Sequence, residues 1–116
     1  MVYSDGHLYK LYLSSEIGFL LFIVVRKMDR ITRFSYEKIE EEKIEILKVD
    51  IFNIIKTISD LVNTFKTNSL IMEPILKSNI QLLFGDLKSE KYYIGDLKSE
   101  VENIEKLLGE INAGTK

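Results

Sequence analysis

The chain of 116 residues contains no cysteine, one histidine, one proline and one glutamine. Without cysteine, disulfide bonds and thiolate chemistry are excluded. The six glycines are dispersed, so the chain has no glycine-rich loop of the kind that holds phosphate. The single histidine, His7, has no serine or aspartate near it in a recognisable nucleophile motif. The sequence therefore predicts a protein that is not an enzyme and has no catalytic residues.

The acidic run at residues 40–42 does not predict a metal site, because consecutive residues on a strand or turn do not converge on one ion and no histidine is nearby. We expect no cofactor. The most apolar run, residues 18–25, is shorter than the roughly 20 residues that span a bilayer as a helix. The N-terminus lacks the basic start and cleavage site of a signal peptide. We therefore expect a cytoplasmic protein with no membrane partner.

The composition is globular, with 46% hydrophobic and 29% charged residues. The length fits one domain, or one domain with an oligomerisation arm. Isoleucine, leucine, lysine and glutamate are abundant beside the scarce glutamine and proline. This bias resembles that of a thermophile's protein, and an AT-rich genome gives a similar one.

Aromatic and basic residues concentrate at the start of the chain. Seven of the 12 aromatic residues lie in the first 36 positions: Tyr3, Tyr9, Tyr12, Phe19, Phe22, Phe34 and Tyr36. All three arginines, Arg26, Arg30 and Arg33, lie in this segment, together with Lys10, Lys27 and Lys38. Aromatic side chains interleaved with basic ones are typical of surfaces that bind single-stranded nucleic acid.

The same segment predicts strands. Residues 7–14 and 31–39 alternate between polar and apolar positions, and residues 19–26 are β-branched, aromatic and apolar on both faces, which is typical of a central strand. Residues 43–49 predict a fourth strand. An alternative starts a long helix near Ser35 that continues through Ile44, Leu47 and Ile51. The spacing from Ile39 to Ile44 fits a helix poorly, so we favour strands.

From Asp50 the pattern predicts an amphipathic helix that is capped by Asp50 and ends at residues 67–69. Pro74 then suits the first turn of another helix. After Pro74, apolar residues follow a 4-3 spacing that only Glu90 interrupts, which predicts a coiled-coil seam for a dimer or tetramer. A helical hairpin inside the monomer is the alternative. We favour two helices with a break near residues 91–95 over one continuous helix. The seam residues are Leu76, Ile80, Leu83, Leu87, Ile94, Leu97, Val101, Ile104, Leu108 and Ile111.

The predicted fold class is thus α+β: an N-terminal four-stranded antiparallel meander, an amphipathic helix and a C-terminal heptad-patterned helical arm. Residues 1–68 would form the nucleic-acid-binding unit and residues 69–116 the oligomerisation arm, although one compact domain is also possible. Five residues would share one exposed sheet face: Lys10, Tyr12, Phe22, Arg26 and Arg33. Alternatively, the aromatic residues pack the core and the arginines are solvated.

The stretches FLLFIVVRKMDRITRFSYEK and KIEILKVDIFNIIKTISDLV resemble the β-β-β-β-α unit of Whirly-type single-stranded-DNA-binding proteins. With the heptad arm added, the chain resembles the archaeal ThermoDBP-related proteins. The resemblance implies a basic, aromatic sheet that binds single strands and a helical region that dimerises. It implies phosphate contacts by Arg26, Lys27, Arg30 and Arg33, and base stacking by Tyr12, Phe22 and Tyr36.

The sequence therefore predicts a homo-oligomer that binds single-stranded DNA or RNA with little sequence preference. The alternative function is a protein–protein interaction adaptor or inhibitor, of viral or host origin, that acts through the acidic helical surface. A net charge of −2 is unusual for a nucleic-acid binder and keeps this alternative open.

Overall fold

The computed structural model describes residues 5–38 and 40–111, with side-chain environments from residue 8 onward. Helix α1 spans Asp5–Glu37, α2 Glu41–Thr67, α3 Pro74–Asp86 and α4 Leu97–Ile111, and a short 3-10 turn lies at Glu90–Tyr92. The two described ranges contain no strand, so the predicted α+β fold with a four-stranded meander is wrong. Tyr3 and Ile39, which entered the sequence argument, lie outside the described residues.

Helix α1 replaces the first three predicted strands. Its buried residues recur every three or four positions, as the inner face of a helix requires. The run at residues 19–26 is apolar on both faces because one side of the helix packs the core and the other side is exposed and apolar. A short apolar run does not by itself distinguish a buried strand from a helix, which explains the error. The buried residues are Leu13, Ile17, Leu21, Val24, Met28 and Ile31.

Helix α2 replaces the fourth predicted strand and begins at Glu41 rather than after Asp50. Asp50 is therefore not a cap: it lies inside the helix, and its Oδ2 is 3.3 Å from Nζ of Lys27 in α1. The alternative of a helix through Ile44, Leu47 and Ile51 describes this segment better. Lys38 has a φ of 58° between α1 and α2. This left-handed residue separates α1 from α2, whereas the alternative prediction had one continuous helix from Ser35 onward.

The structure of residues 74–111 agrees more closely with the helices that the sequence pattern predicted there. Pro74 stands in the first turn of α3, and the predicted break between two helices occurs at residues 87–96. Gly95 lies in that break with a φ of 51°, a left-handed conformation that glycine adopts without steric cost. The two helices fold back on their own chain: α3 packs against α1, α4 against α2, and α3 against α4.

The 4-3 seam consequently fills the core of the monomer, and the predicted coiled-coil arm is wrong. All of its residues are buried except the half-buried Ile94. Each large side chain removed from water in this way stabilises the fold by about 1.5–3 kcal/mol. The four ion pairs among the described residues are exposed or partly exposed, and exposed pairs contribute about 0–1 kcal/mol each. Apolar burial therefore sets the arrangement of the helices. In this arrangement one side of α1 is not covered by another helix.

Candidate interaction surface

The uncovered side of α1 is apolar for half of the helix. Leu8, Tyr12, Ser15, Phe19 and Phe22 follow one another at spacings of four and three, so they lie in one line along the helix. Leu11, Gly18 and Val25 flank this line. We call these eight residues, with Leu82 of α3, the outer α1 surface. From Leu8 to Val25 the surface is about 26 Å long at 1.5 Å per residue.

The large side chains of this surface are strongly exposed. Leu8, Tyr12, Phe19 and Phe22 each retain 57–60% of their accessible area, and Leu82 retains 71%. Buried core residues lie between them along the sequence, for example Ile17 with no exposure. The exposure thus belongs to one face of a helix whose opposite face is packed. An exposed apolar patch of this size marks an interaction site on a folded protein.

The outer α1 surface contains no charged residue. Between residues 8 and 25 the only charged residues are Lys10 and Glu16, and both are half-buried. Nζ of Lys10 is 3.1 Å from Oε2 of Glu73, directly before α3. The line from Leu8 to Phe22 therefore contains no charged residue.

Helix α3 widens the surface. A shallow groove runs between α1 and α3, and Phe22, Val25 and Leu82 all line it. Asp86 is the charged residue among its lining side chains. The apolar area is therefore shared by two helices rather than confined to a single ridge.

Arginines continue the same line toward the end of α1. Arg26, Arg30 and Arg33 are exposed and follow Phe22 at helical spacing; we call them the arginine stripe. The guanidinium of Arg26 lies 5.7 Å from the centroid of the Phe22 ring. Among the described residues, none of the three arginines has a carboxylate oxygen within 4.0 Å, although Asp29 lines a depression with all three. The outer side of α1 thus changes from uncharged to cationic at residue 26.

The predicted nucleic-acid residues are distributed along this helix rather than on a sheet. Tyr12 and Phe22 belong to the outer α1 surface, and Lys10 and Lys27 are held in ion pairs with Glu73 and Asp50. Tyr36 is 88% exposed near the end of α1. Of the predicted residues, Phe22 lies beside Arg26, and Lys27 lines a depression with Arg26 and Arg30. Since the described residues contain no sheet, the predicted sheet platform for single-stranded nucleic acid is wrong.

The sequence argument missed the exposed residues that complete the surface. Leu8, Leu11, Val25 and Leu82 were not singled out, and Phe19 was named among the aromatic residues but not assigned to the site. A usable signal was present: two lines of 4-3 spacing occur in residues 8–31, one through Ile17 and Val24 and one through Phe19 and Phe22. Two such lines on one helix predict an inner and an outer apolar side.

Helix α1 also meets the length and composition of a membrane-crossing helix. Its most apolar 18-residue window has a mean hydropathy of 1.7, and 22% of that window is buried within the protein. The sequence prediction of no membrane-spanning helix considered only residues 18–25, a segment shorter than this window. The inner face of α1 nevertheless packs along α2, whose exposed side carries Lys56 and Asp60. A bilayer would therefore surround α1 only if the helix left its partner.

The described residues contain no group of three or more histidine, cysteine, aspartate or glutamate side chains arranged to hold a metal ion. Comparison of the chain with protein-family models, curated proteins and solved structures gives no match.

Proposed function

We propose that the protein is a self-associating helical interaction protein in which two copies join through the outer α1 surface. The observation that carries this proposal is the uncharged line from Leu8 to Phe22, exposed on a helix whose opposite face is fully packed. The proposal keeps the homo-oligomer and the protein–protein interaction expected from the sequence. It moves the interface from the C-terminal seam and the acidic helical surface to α1.

The area of the surface supports a second copy as its occupant. Large aliphatic and aromatic side chains offer roughly 150–250 Å² each, so seven of them exposed by half or more present roughly 800 Å². This equals the roughly 800 Å² that each partner contributes to a standard protein–protein interface. The largest apolar patch on a typical monomer is only about 300–600 Å².

The shape of the surface supports the same occupant. The line of residues is straight, about 21 Å long, and has the 4-3 spacing that lets helices pack side by side. A second α1 offers the same line and the same length. Burial of Phe19 and Phe22 from both copies would stabilise the dimer by about 25 cal/mol for each Å² of apolar area removed from water.

The experiment compares the mass of the protein in solution with the masses of matched variants by size exclusion with light scattering. We expect the unaltered chain to run as a dimer and the double variant Phe19→Ser/Phe22→Ser to run as a monomer. The control is Ile46→Ser, which alters a side chain of α2 that is 61% exposed and lies outside the surface. The control should remain a dimer, and circular dichroism should show equal helix content in all three proteins.

A monomeric mass for the unaltered protein at every concentration would contradict the proposal. Binding of such a monomer to phospholipid vesicles, lost in Phe19→Ser/Phe22→Ser, would assign the outer α1 surface to a membrane instead. A dimer that persists in the double variant and dissociates with Ile46→Ser would place the interface on α2.

A further inference from the structure

The charge along the outer side of α1 is uneven, and this decides how two copies can be oriented. Residues 8–25 present an uncharged line, whereas the arginine stripe follows at residues 26–33 with Asp29 as its only exposed acidic neighbour on α1 within that range. Two α1 helices that pack side by side are either parallel or antiparallel. The two orientations place the arginines very differently.

A parallel pair would bring both arginine stripes together. Six guanidinium groups and two Asp29 carboxylates would then meet at one end of the interface. Like charges at facing positions of paired helices repel and disfavour that orientation. None of the three arginines has a carboxylate within ion-pair distance in the described part of its own chain to offset the repulsion.

We infer that the two copies pack antiparallel through the outer α1 surface, with each arginine stripe beside the N-terminal end of the other copy's uncharged line. This inference rests on the proposed self-association. Equivalent arginines of the two stripes then lie about 27–48 Å apart, at opposite ends of the dimer. That distance exceeds the Debye length of about 10 Å at 0.1 M salt several-fold, so their mutual repulsion is screened.

The line of residues is self-complementary in this orientation. When the two-fold axis crosses the outer side of α1 at the level of residue 17, Ser15 faces Phe19, Tyr12 faces Phe22 and Leu8 faces Arg26 of the second copy. A small side chain thus meets a large one at the centre. The aliphatic stem of Arg26 covers Leu8 while its guanidinium reaches solvent, as long basic side chains commonly do.

The test uses the absence of cysteine from the chain. Leu8→Cys and Arg26→Cys are prepared as separate proteins, and disulfide formation is measured for each alone and for their mixture. In the antiparallel pair, Leu8→Cys and Arg26→Cys face each other and the mixture cross-links. Two copies of the same variant hold their cysteines about 27 Å apart, whereas a disulfide needs Cα atoms within about 7 Å.

We expect the mixture to form disulfide-linked dimer at least about tenfold faster than either variant alone, with Ile46→Cys mixed with either variant as the unreactive control. Cross-linking of each single variant alone at the rate of the mixture would overturn the antiparallel orientation. A dimeric mass with no cross-linking in any combination would overturn it as well, because it would place the interface elsewhere. A monomeric mass would instead remove the proposed self-association, and the orientation with it.

Salt provides an independent readout. An antiparallel dimer should change its dissociation constant less than about threefold between about 10 mM and 1 M sodium chloride, since two unit charges about 27 Å or more apart in water interact by only about 0.15 kcal/mol even before screening. A dissociation constant that falls more than about tenfold as salt is added would reveal clustered arginines and contradict the inference.

Discussion

The guanidinium of Arg26 lies 5.7 Å from the centre of the Phe22 ring, one helical turn away on the same side of α1. This pair marks the boundary between the uncharged and the cationic parts of the helix. Toward the N-terminus the exposed line is uncharged through Phe19 to Leu8, and toward the C-terminus it continues with Arg30 and Arg33. In the proposed dimer, the apolar contact between the two copies would end at this boundary.

Truncation of Ile17 should cost far more stability than truncation of Phe19, because the two residues are two positions apart on a helix and lie on different faces. Ile17 is fully buried and Phe19 is 59% exposed. We expect Ile17→Ala to lower the free energy of unfolding by about 2–5 kcal/mol. Phe19→Ala should change the unfolding free energy of the monomer by less than about 0.5 kcal/mol. Urea denaturation at a protein concentration that keeps the chain monomeric measures both.

This contrast also tests the helix itself. In a strand, residues two positions apart lie on the same face, so both truncations would be costly or both would be tolerated. Equal losses in the two variants would contradict the placement of residues 17–19 in α1.

Gly95 and Gly109 should respond oppositely to alanine. Gly95 has a φ of 51°, and a Cβ there would lie 3.7 Å from the ring of Phe52, an ordinary contact. The cost of Gly95→Ala is therefore the left-handed backbone, about 1–2 kcal/mol. Gly109 lies inside α4 with open space around its Cα, so Gly109→Ala should stabilise the protein by about 0.5–1 kcal/mol.

Thermal unfolding of the two alanine variants gives the comparison directly. The melting temperature should fall for Gly95→Ala and rise for Gly109→Ala. An increase for both would mean that Gly95 does not require its left-handed conformation.

The pKa of Glu110 should lie below its ordinary value of 4.5. A hydrogen bond from Nζ of Lys66, 2.6 Å from Oε1, is the main cause, followed by the attraction between the two charges. A carboxyl whose pKa is lowered on folding contributes stability above its unfolded-state pKa, and this contribution is lost as the pH falls through the folded-state pKa. An NMR titration of the Glu110 carboxyl carbon should show a higher pKa in Lys66→Met than in the unaltered chain.

The dependence of thermal stability on pH below neutrality provides the control. The difference in melting temperature between the unaltered chain and Glu110→Gln should be largest near neutral pH and should shrink below pH 4.5. An unchanged Glu110 titration in Lys66→Met would mean that the ion pair does not form in solution.

The sequence predicted the C-terminal half better than the N-terminal half, for physical reasons. Pro74 and the end of α2 near Thr67 are local signals that depend only on neighbouring residues, and both agree with the structure. The 4-3 seam after Pro74 correctly identified a buried face. Whether that face packs against its own chain or against another copy depends on tertiary packing, and the spacing of apolar residues does not determine this.

The N-terminal half was misread because one helix carries two apolar sides. Phe19, Leu20, Leu21 and Phe22 are consecutive apolar residues, which fit a central strand as well as such a helix. The aromatic and basic residues were noticed as a group, and of these Phe22 and Arg26 lie next to each other in the structure. Their role was assigned to a sheet because the β-branched run at residues 23–25 favours strands in isolation. Packing of Ile17, Val24 and Ile31 overrides that local preference.

Sedimentation equilibrium of the unaltered chain over a wide concentration range is the most direct measurement of the proposed interface. The proposal predicts a reversible transition from the chain mass of 13.5 kDa at high dilution to twice that mass as the concentration rises. A mass that stays at one chain throughout the range would contradict it, and the exposed line from Leu8 to Phe22 would then require a different partner.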